Sequence, residues 1–567
     1  MEPFTFRIAR NVLLVFAYIT YADRGDIMDI TVAIVVLVYF AISLSLGFWV
    51  ARKEQNKVDD YFLAGRKLPW YAISMSMTGS NIGTEHFIGM VGTAYVFGLA
   101  PAVFEWGNFI PYSFLVWVFL PYFYRKKLCT IPEFLQRRYS ETTRSVFAGL
   151  TLSHMVLAVQ VPALYAGGRI LYEMTTLQEL GSMHWLFILG IVSIAVITAA
   201  YCIYGGLLSV VWTDFLQVAV LILGGIGLLG YGLYEFGGLG PIIQENLAAD
   251  PKRFQLIHDT SHKVSPWTGV ATFWLTLSMW YVGTNQFYIQ RCLGAKSEWD
   301  AKMGVIGCAF LKIFLPLIIV FPGLIAFAKY GPGLADDAVY VRMVNDYMTP
   351  LGKGMLLAAL IAAIMSTVSS VLNSSSTIWA MDIHKQYINK DAAEGELVAV
   401  GRWATLIIIG ISTLLAPFLF YWSGGIFIYI QDMAAFFAPP ISVIFLAAFF
   451  WRRAHSRSAT TTLVVGIVFG LLLKVFAETW GPDGVATLKP LLNRAAISWG
   501  VCFAVLILST LLLPRSPREQ YDPDAIWNWQ WAKLPPAERP RNAGARNLLF
   551  WWAVLILCSI GLFVYFG

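Results

Sequence analysis

The sequence contains few charged residues. Asp, Glu, Lys and Arg make up only 13% of its 567 residues, about half the share that a soluble domain carries. Hydrophobic residues make up 58% and aromatic residues 15%. This composition excludes a water-soluble enzyme, a disordered chain and a nucleic-acid-binding protein, because each of these classes carries far more charge.

Motifs for metal binding, disulfide bonding and nucleotide binding are also missing. The six cysteines form no CxxC pair and do not cluster with His, which argues against a zinc or disulfide framework and favours isolated residues of an apolar core. No GxxxxGK[ST] loop is present to hold the phosphates of ATP. Uphill transport by this chain must therefore draw on an ion or solute gradient. The cysteines are Cys129, Cys202, Cys292, Cys308, Cys502 and Cys558.

Long hydrophobic runs dominate the chain instead. A helix that crosses a membrane needs about 20 apolar residues, and its ends are marked by charged residues or by clusters of Gly and Pro. These criteria predict an all-α polytopic membrane protein with about fourteen transmembrane helices. The predicted spans are 27–51, 70–98, 101–124, 145–172, 185–204, 207–234, 267–290, 303–328, 354–382, 403–422, 426–450, 459–478, 495–513 and 548–566.

Lys and Arg are concentrated in three links between spans, at 52–67, 125–144 and 514–547. Fourteen spans would place these links on one side of the membrane, whereas links assigned to the other side, such as 173–184, are poor in positive charge. The positive-inside rule then predicts that both termini lie outside. No predicted external link carries an N-x-S/T acceptor, which favours the inner membrane of a bacterium as the location.

Two of the predicted spans are interrupted by polar and small residues. Span 70–98 contains SMSMTGSNIGTEHFIGM, and span 267–290 contains LSMWYVGTNQ. Broken helices survive at membrane depth where their freed carbonyls line a cavity or bind an ion. The two spans lie five helices apart, which predicts two five-helix repeats; the alternative is two helices that pack closely through small residues. The predicted divisions are a leader or interfacial helix at 1–26, an extra transmembrane helix and link at 27–66, repeats at 67–235 and 266–453, and extra C-terminal helices at 454–567.

Span 354–382 carries a band of hydroxyl side chains, AAIMSTVSSVLNSSST. Ala363, Ser366 and Thr367 are spaced i, i+3 and i+4, so they share one helical face. Neutral hydroxyl and carbonyl oxygens are hard ligands that can replace the water shell of Na⁺. The alternative is a Ser/Thr seam between packed helices.

Asp214 is a single carboxylate within another predicted span. A buried carboxylate in a membrane needs a partner or a cation. The hydroxyl band, which continues through Ser369 and Ser370, could hold a sodium ion beside it.

Six further polar or aromatic side chains are candidates for binding a neutral polyol, which needs hydrogen-bond donors and acceptors together. Lys, Asn, Gln and His would donate, Glu would accept, and a Tyr ring could stack on a sugar face. The alternatives are a Lys that reaches the membrane interface and a His that is satisfied in the interior. The candidates are His86, Glu105, Asn108, Tyr281, Lys312 and Gln431.

In these stretches the chain resembles the sodium/solute symporter family, and within it the sodium/glucose cotransporters. The resemblance runs from Asp60 to Arg453, about 400 residues. The motifs YFLAGR, SNIG, FEW, IPEFLQRRY, IYGG, WTD, IQRCLGAK, NSSSTIWAMDI, YIQ and APP occur in the order of the family.

The resemblance implies a LeuT-type fold, in which two inverted five-helix repeats follow one extra helix and precede several more. It implies a substrate site at the six polyol-binding candidates, with Tyr281 as the inner gate. Val282 and Ser278 depart from the pattern of the family and leave the identity of the polyol open. The implied sodium site comprises the carbonyls of Gly79 and Ile82 with Ala363, Ser366 and Thr367, and a possible second sodium site comprises Asp214, Ser369 and Ser370.

The expected function is Na⁺-coupled symport of a sugar or polyol by alternating access, performed by a monomer in the plasma membrane. Na⁺ is the co-transported ion, and no catalytic residues are expected. The alternatives are a carboxylate substrate such as sialic acid, H⁺ in place of Na⁺, a sugar-gated sensor or uncoupled channel, and a membrane enzyme that acts on a lipid-linked sugar.

Overall fold

The computed structural model describes residues 30–51, 56–83, 85–176, 180–421, 426–479, 486–517, 519 and 521–567. The predicted leader at 1–26 lies outside these residues. The described chain is almost entirely helical, as expected where backbone groups must find partners inside the protein. Its helices long and apolar enough to cross a membrane number eleven: Ile30–Val50, Ala100–Arg125, Glu141–Glu173, Trp185–Glu235, Glu298–Tyr330, Pro350–Ile388, Glu394–Tyr421, Tyr429–Phe450, Ser456–Thr479, Leu491–Leu512 and Leu548–Phe566.

One of these helices is long enough for two spans. Trp185–Glu235 has 51 residues, about 77 Å at 1.5 Å per residue, and the hydrocarbon core is only about 30 Å thick. Gly206 has a φ of 51° and kinks the helix, and a Cβ there would collide with the carbonyl of Tyr61. The kink falls between the predicted spans 185–204 and 207–234.

Two further spans are broken, as the sequence predicted. The first broken span consists of Trp70–Asn81 and Val91–Phe97, with an extended residue at Ile82 and a π-helical turn between the two halves. The second broken span consists of Leu277–Thr284 and Gln286–Leu293, separated by the extended residue Asn285. Together with the kinked helix counted as two, the described residues contain the fourteen predicted spans.

The links contain several shorter helices that lie outside the spans. They are Val58–Leu63, Ile131–Arg138, Leu239–Ala249 and Asp336–Tyr347.

The serine-rich helix, Pro350–Ile378, occupies the centre of the bundle. It packs against the long helix Trp185–Glu235 and the first broken span. In its span, 94% of the most apolar stretch of 18 residues is buried inside the protein, compared with 17% of the corresponding stretch in Leu548–Phe566. The hydroxyl band therefore lies in the protein interior and the last helix lies at the lipid boundary. Five of the six cysteines are buried, as predicted for core residues, whereas Cys558 is exposed.

The link before the last helix, 521–547, runs across one end of the bundle. The carboxylate of Glu538 accepts the backbone N–H of Trp299 at 2.7 Å, which satisfies an amide at a helix N-terminus. Arg541 donates to Asp300 at 2.5 Å and its guanidinium lies 4.0 Å from the centre of the Trp299 ring. This link thereby joins the last helix to the helix Glu298–Tyr330.

Candidate cation and substrate site

The first half of the first broken span ends inside the bundle with carbonyls that lack helical partners. In a continuous helix the amide of Gly83 would donate to the carbonyl of Gly79, but here it donates to Nδ1 of His86 at 3.3 Å. Ile82, fully buried, has extended backbone angles. Carbonyls at a helix C-terminus carry the negative end of the helix dipole, so this end can attract a cation.

Gly79 lies directly against the serine-rich helix. A Cβ at Gly79 would stand 2.9 Å from Oγ of Ser366 and 2.7 Å from a methyl of Val218, so a larger residue would require these side chains to shift. The hydroxyl of Thr367 donates to the carbonyl of Ala363 at 3.1 Å, which places these two oxygens on the same side of the helix. The structure therefore brings the predicted sodium-binding residues of both helices together in the buried core, and their role as sodium ligands stays a prediction.

Asp214 has a partner that the sequence analysis missed. Nη2 of Arg291 lies 3.0 Å from Oδ2 of Asp214, and both side chains are fully buried. Ser76 donates to the same carboxylate at 2.5 Å and Ser366 donates to its other oxygen at 2.7 Å. The requirement of a buried carboxylate for a cation was the signal that could have suggested an arginine, but nothing in the sequence specifies which one.

Arg291 also binds hydroxyls from two other elements. It donates to Ser76 at 2.6 Å and to Ser370 at 2.5 Å, and Ser370 contacts Ser80 at 3.0 Å. The network joins both broken spans, the long helix and the serine-rich helix. Ser369 instead donates to the carbonyl of Ser366 at 3.0 Å. In this structure the positive charge beside the carboxylate is a guanidinium, and the second sodium site stays a prediction.

A cavity of about 120 Å³ lies between the two broken spans and the helix that carries Lys312. Its lining combines polar groups with aromatic and aliphatic side chains, as in most small-molecule sites. All six predicted substrate residues line it: His86, Glu105, Asn108, Tyr281, Lys312 and Gln431. Their role in binding a substrate stays a prediction.

Glu105 and Lys312 form a buried ion pair at this cavity. Nζ of Lys312 lies 2.5 Å from Oε2 of Glu105, and each side chain is 3% exposed. Nε2 of His86 lies 3.2 Å from the other carboxylate oxygen. Lys312 is therefore an interior residue, and the alternative in which it reaches the membrane interface is wrong.

At the cavity, Asn108 links its own helix to the second broken span. Its amide donates to the carbonyl of Phe104 at 2.5 Å, and its oxygen accepts the hydroxyl of Ser278. Tyr281 lies beside the second half of the second broken span, with ring centres 5.9 Å from Phe287 and 5.7 Å from Tyr288. This position, between the cavity and the second half-helix, is compatible with the predicted gate.

The lining also contains residues that the sequence analysis did not select. Trp280 adds an aromatic face beside Tyr281, and Asn81 adds an amide at the end of the first half-helix. Both occur within the interrupted motifs, so those motifs contained the signal. Phe104 and Phe273 belong to the apolar part of the lining; they resemble ordinary core residues in sequence and could not be distinguished there.

The sequence from residue 61 to residue 466 matches the profile of the Sodium:solute symporter family. This match covers more than half of the chain. The chain belongs to the sodium:solute symporter family. The resemblance noted in the sequence is thereby confirmed, and with it Na⁺ as the co-transported ion.

Two relatives of this symporter illustrate the similarity. The chain is 36% identical over 472 residues to the sodium/glucose cotransporter of Vibrio parahaemolyticus, covering 77% of this chain and 84% of the relative. It is 31% identical over 477 residues to the sodium/myo-inositol cotransporter 2 of Rattus norvegicus, covering 77% of this chain and 69% of the relative.

A solved structure of a Na⁺-coupled sialic acid symporter in its outward-open state superimposes with a TM-score of 0.71 and covers 86% of this chain and 99% of that one. The sequences are only 20% identical, so the superposition shows the fold alone. The LeuT-type fold predicted from the sequence is confirmed. The boundaries predicted for the two repeats stay predictions.

Proposed function

We propose that this symporter carries a sugar or a polyol together with Na⁺. The observation that supports the proposal is the convergence of six donor and acceptor side chains on one buried cavity, with the Glu105–Lys312 ion pair at 2.5 Å in its wall. A polyol hydroxyl is both a donor and an acceptor, so it can bind the carboxylate and the ammonium group at once. The relatives named for glucose and myo-inositol support the same class of substrate.

The polar groups of the cavity favour a neutral substrate over an anion. Lys312 donates one of its hydrogen bonds to Glu105 and is thereby partly neutralised. The Glu105 carboxylate would repel a carboxylate on the substrate. The ring of Tyr281 and the neighbouring Trp280, whose ring centres are 6.0 Å apart, offer aromatic faces for the apolar face of a sugar.

The proposed sodium site comprises the carbonyls of Gly79, Ile82 and Ala363 and the hydroxyls of Ser366 and Thr367. A sodium ion held by these oxygens favours the arrangement in which the first broken span meets the serine-rich helix. Coupling requires that Na⁺ bind the two conformations with different affinity. One charge crossing about 100 mV contributes roughly 2.3 kcal/mol, or nearly two decades of accumulation at about 1.4 kcal/mol per decade.

The sodium site is tested by removing both hydroxyls. We expect Ser366→Ala with Thr367→Ala to abolish Na⁺-driven uptake in proteoliposomes. A matched control is Thr405→Ala with Ser412→Ala, since both of these hydroxyls are buried and each donates to a carbonyl of its own helix at 2.9 Å, away from the proposed sodium site. Unaltered Na⁺ dependence in the first variant would remove the proposed site.

The substrate class is tested by uptake of labelled glucose, galactose, myo-inositol and sialic acid, with and without a Na⁺ gradient. We expect accumulation of one of the three neutral compounds only when the gradient is imposed. Accumulation of sialic acid alone would contradict the proposed class. Current or flux without accumulation would indicate an uncoupled channel or sensor. Accumulation driven by a proton gradient would mean that H⁺, and not Na⁺, is the coupling ion.

The location and assembly are further parts of the proposal. The Lys and Arg distribution of the links supports an orientation with both termini outside. The lack of N-x-S/T acceptors in the predicted external links supports the inner membrane of a bacterium. We infer a monomer that performs transport and no catalysis, since one chain supplies both the lining of the cavity and the residues of the proposed sodium site. Accessibility of a C-terminal tag on intact cells tests the orientation, and the mass of the detergent-purified protein tests the monomer.

A further inference from the structure

A second cavity, of about 650 Å³, lies apart from the substrate site. It is bounded by the start of the first broken span, the helix Glu298–Tyr330 and the start of the last helix. Its volume falls within the range of about 300–1,000 Å³ that is usual for ligand sites. We call it the aromatic groove, because its walls include Trp70, Tyr71, Phe215, Phe310, Phe314 and Trp551.

The aromatic groove is open at the surface of the bundle. Trp70 is 37% exposed, Tyr71 44% and Phe314 59%, and these residues belong to membrane-spanning segments. The hydroxyl of Ser74 is occupied by the carbonyls of Trp70 and Gly304, at 3.0 and 2.9 Å. The groove therefore offers mainly apolar surface, which suits an acyl chain and not a sugar.

One basic residue lines the groove, and the backbones of two lysines lie near the same end. Arg546 lines it and is exposed. Lys67, also exposed, precedes Trp70 by three residues, and Lys296 lies alongside because its backbone N–H donates to the carbonyl of Leu68 at 3.1 Å. Asp300 is the acidic neighbour, 3.8 Å from Lys296, but Arg541 already pairs with it at 2.5 Å.

This end of the groove belongs to the face that the charge distribution predicts to be cytoplasmic, since Lys67 and Arg546 lie in the basic links 52–67 and 514–547. Basic pockets between membrane helices on that side bind acidic lipid headgroups. Trp and Tyr are enriched at the level of the headgroups, where Trp70, Tyr71 and Trp551 would lie.

We propose that the aromatic groove binds an anionic phospholipid of the cytoplasmic leaflet. An acyl chain lies along the aromatic walls, and the phosphate group lies beside Lys67, Lys296 and Arg546. The lipid contacts both the first broken span and the helix that carries Lys312. It would thus stabilise the packing of two elements that also form the substrate cavity.

The test compares two lipids on the full-length protein, purified and stripped of lipid in detergent. Phosphatidylglycerol and phosphatidylcholine with identical acyl chains are added, and native mass spectrometry counts the retained lipids. We expect phosphatidylglycerol to be retained several-fold better. Glycerol phosphate, which has the headgroup charge without the chains, should not displace it. Equal retention of the two lipids, or displacement by glycerol phosphate, overturns the proposal.

The headgroup contacts are tested by Lys67→Gln, Lys296→Gln and Arg546→Gln combined. We expect this variant to retain phosphatidylglycerol roughly tenfold or more weakly than the unaltered protein, with phosphatidylcholine unchanged. Because the three side chains are exposed or half-exposed, the fold should persist. Retention equal to that of the unaltered protein overturns the proposal.

A matched control removes the same charge elsewhere on the same predicted face. Arg452→Gln, Arg453→Gln and Arg457→Gln combined alter three exposed arginines of another link and should leave lipid retention unchanged. An equal loss in this control would show that general surface charge holds the lipid, which also overturns the proposal.

The acyl-chain part is tested by filling the groove. Leu311→Trp enlarges a half-buried side chain that lines it, and we expect the loss of phosphatidylglycerol retention. Leu317→Trp enlarges a 39% exposed side chain of the same helix outside the groove and should have no effect. Equal behaviour of these two variants contradicts the assigned groove.

Discussion

Two of the ion pairs buried in the bundle, Asp214–Arg291 and Glu105–Lys312, differ in what surrounds them. Asp214 and Arg291 are wholly enclosed, and serine hydroxyls from two helices complete their hydrogen bonds. Glu105 and Lys312 are nearly as buried, at 3% each, but they line the cavity. The first pair therefore stabilises the packing of helices, and the second is available to bind a ligand.

The difference has a physical basis. A buried ion pair is stable only when further hydrogen bonds replace the lost water. At Asp214 the replacement is permanent, because the hydroxyls belong to the packed helices themselves. At Glu105 part of the replacement comes from His86 at 3.2 Å, and the open side faces space that water or a substrate hydroxyl can fill. We call Asp214–Arg291 the sealed pair, because it holds packed helices together. We call Glu105–Lys312 the cavity pair, because a substrate hydroxyl can replace the water beside it.

The largest expected effect is on stability at the sealed pair. We expect Arg291→Met to lower the free energy of unfolding by about 3–5 kcal/mol, because it leaves the Asp214 carboxylate buried without a counter-charge. Lys312→Met should cost less, about 1–3 kcal/mol, since Glu105 keeps His86 and the cavity. Thermal unfolding of the purified proteins measures both losses, and equal losses would contradict the distinction.

A rescue experiment sharpens the interpretation of Arg291. Adding Asp214→Asn to Arg291→Met removes the unpaired charge, and replacing both members of a buried pair is often far less costly than removing one. We expect the double variant to regain a substantial part of the lost unfolding temperature. No regain would mean that Arg291 acts through its contacts with Ser76 and Ser370 and not through the carboxylate.

A second prediction concerns affinity at the cavity pair. We expect Glu105→Gln to raise the half-saturating substrate concentration roughly ten- to a hundredfold, because hydrogen bonds to charged groups contribute about 1.5–3 kcal/mol. Gln431→Ala should weaken binding less, since its amide is uncharged. Uptake at graded substrate concentrations measures both changes.

The control for this prediction is another buried lysine on the same helix. Lys302 pairs with Glu298 at 3.0 Å outside the cavity, so Lys302→Met should leave substrate affinity unchanged while Lys312→Met lowers it. If the two lysine variants shift the affinity alike, the cavity pair does not bind the substrate.

The smallest expected effect tests the second sodium at the sealed pair. Ser369 donates to the carbonyl of Ser366 at 3.0 Å, within its own helix, and not to the Asp214 carboxylate, so Ser369→Ala should change stability far less than Arg291→Met. If a second sodium binds between Asp214 and Ser369, this variant should lower the Hill coefficient of Na⁺-dependent uptake toward one. A coefficient of one in the unaltered protein removes the second sodium.

The sequence predicted the cavity residues well for a local reason. Glu105 and Asn108 are spaced i, i+3, and His86 follows a helix break, so each was recognisable as a polar residue inside a span. The resemblance to the family then supplied the grouping with Lys312 and Gln431. Arg291 was missed because it lies in the IQRCLGAK motif, one residue beyond the end of the predicted span 267–290, where a basic residue needs no special explanation.

Composition and hydrophobic runs by themselves determined that this chain crosses a membrane many times, since transfer of apolar segments out of water depends on the residues and not on their neighbours in space. The two helix breaks could also be recognised in the sequence, because Gly and polar residues interrupt a hydrophobic run locally. Only the tertiary structure decided that the cation beside Asp214 is Arg291, 77 residues away. Spacing along one helix specifies which side chains share a face, but the contact between two helices depends on how all of them pack.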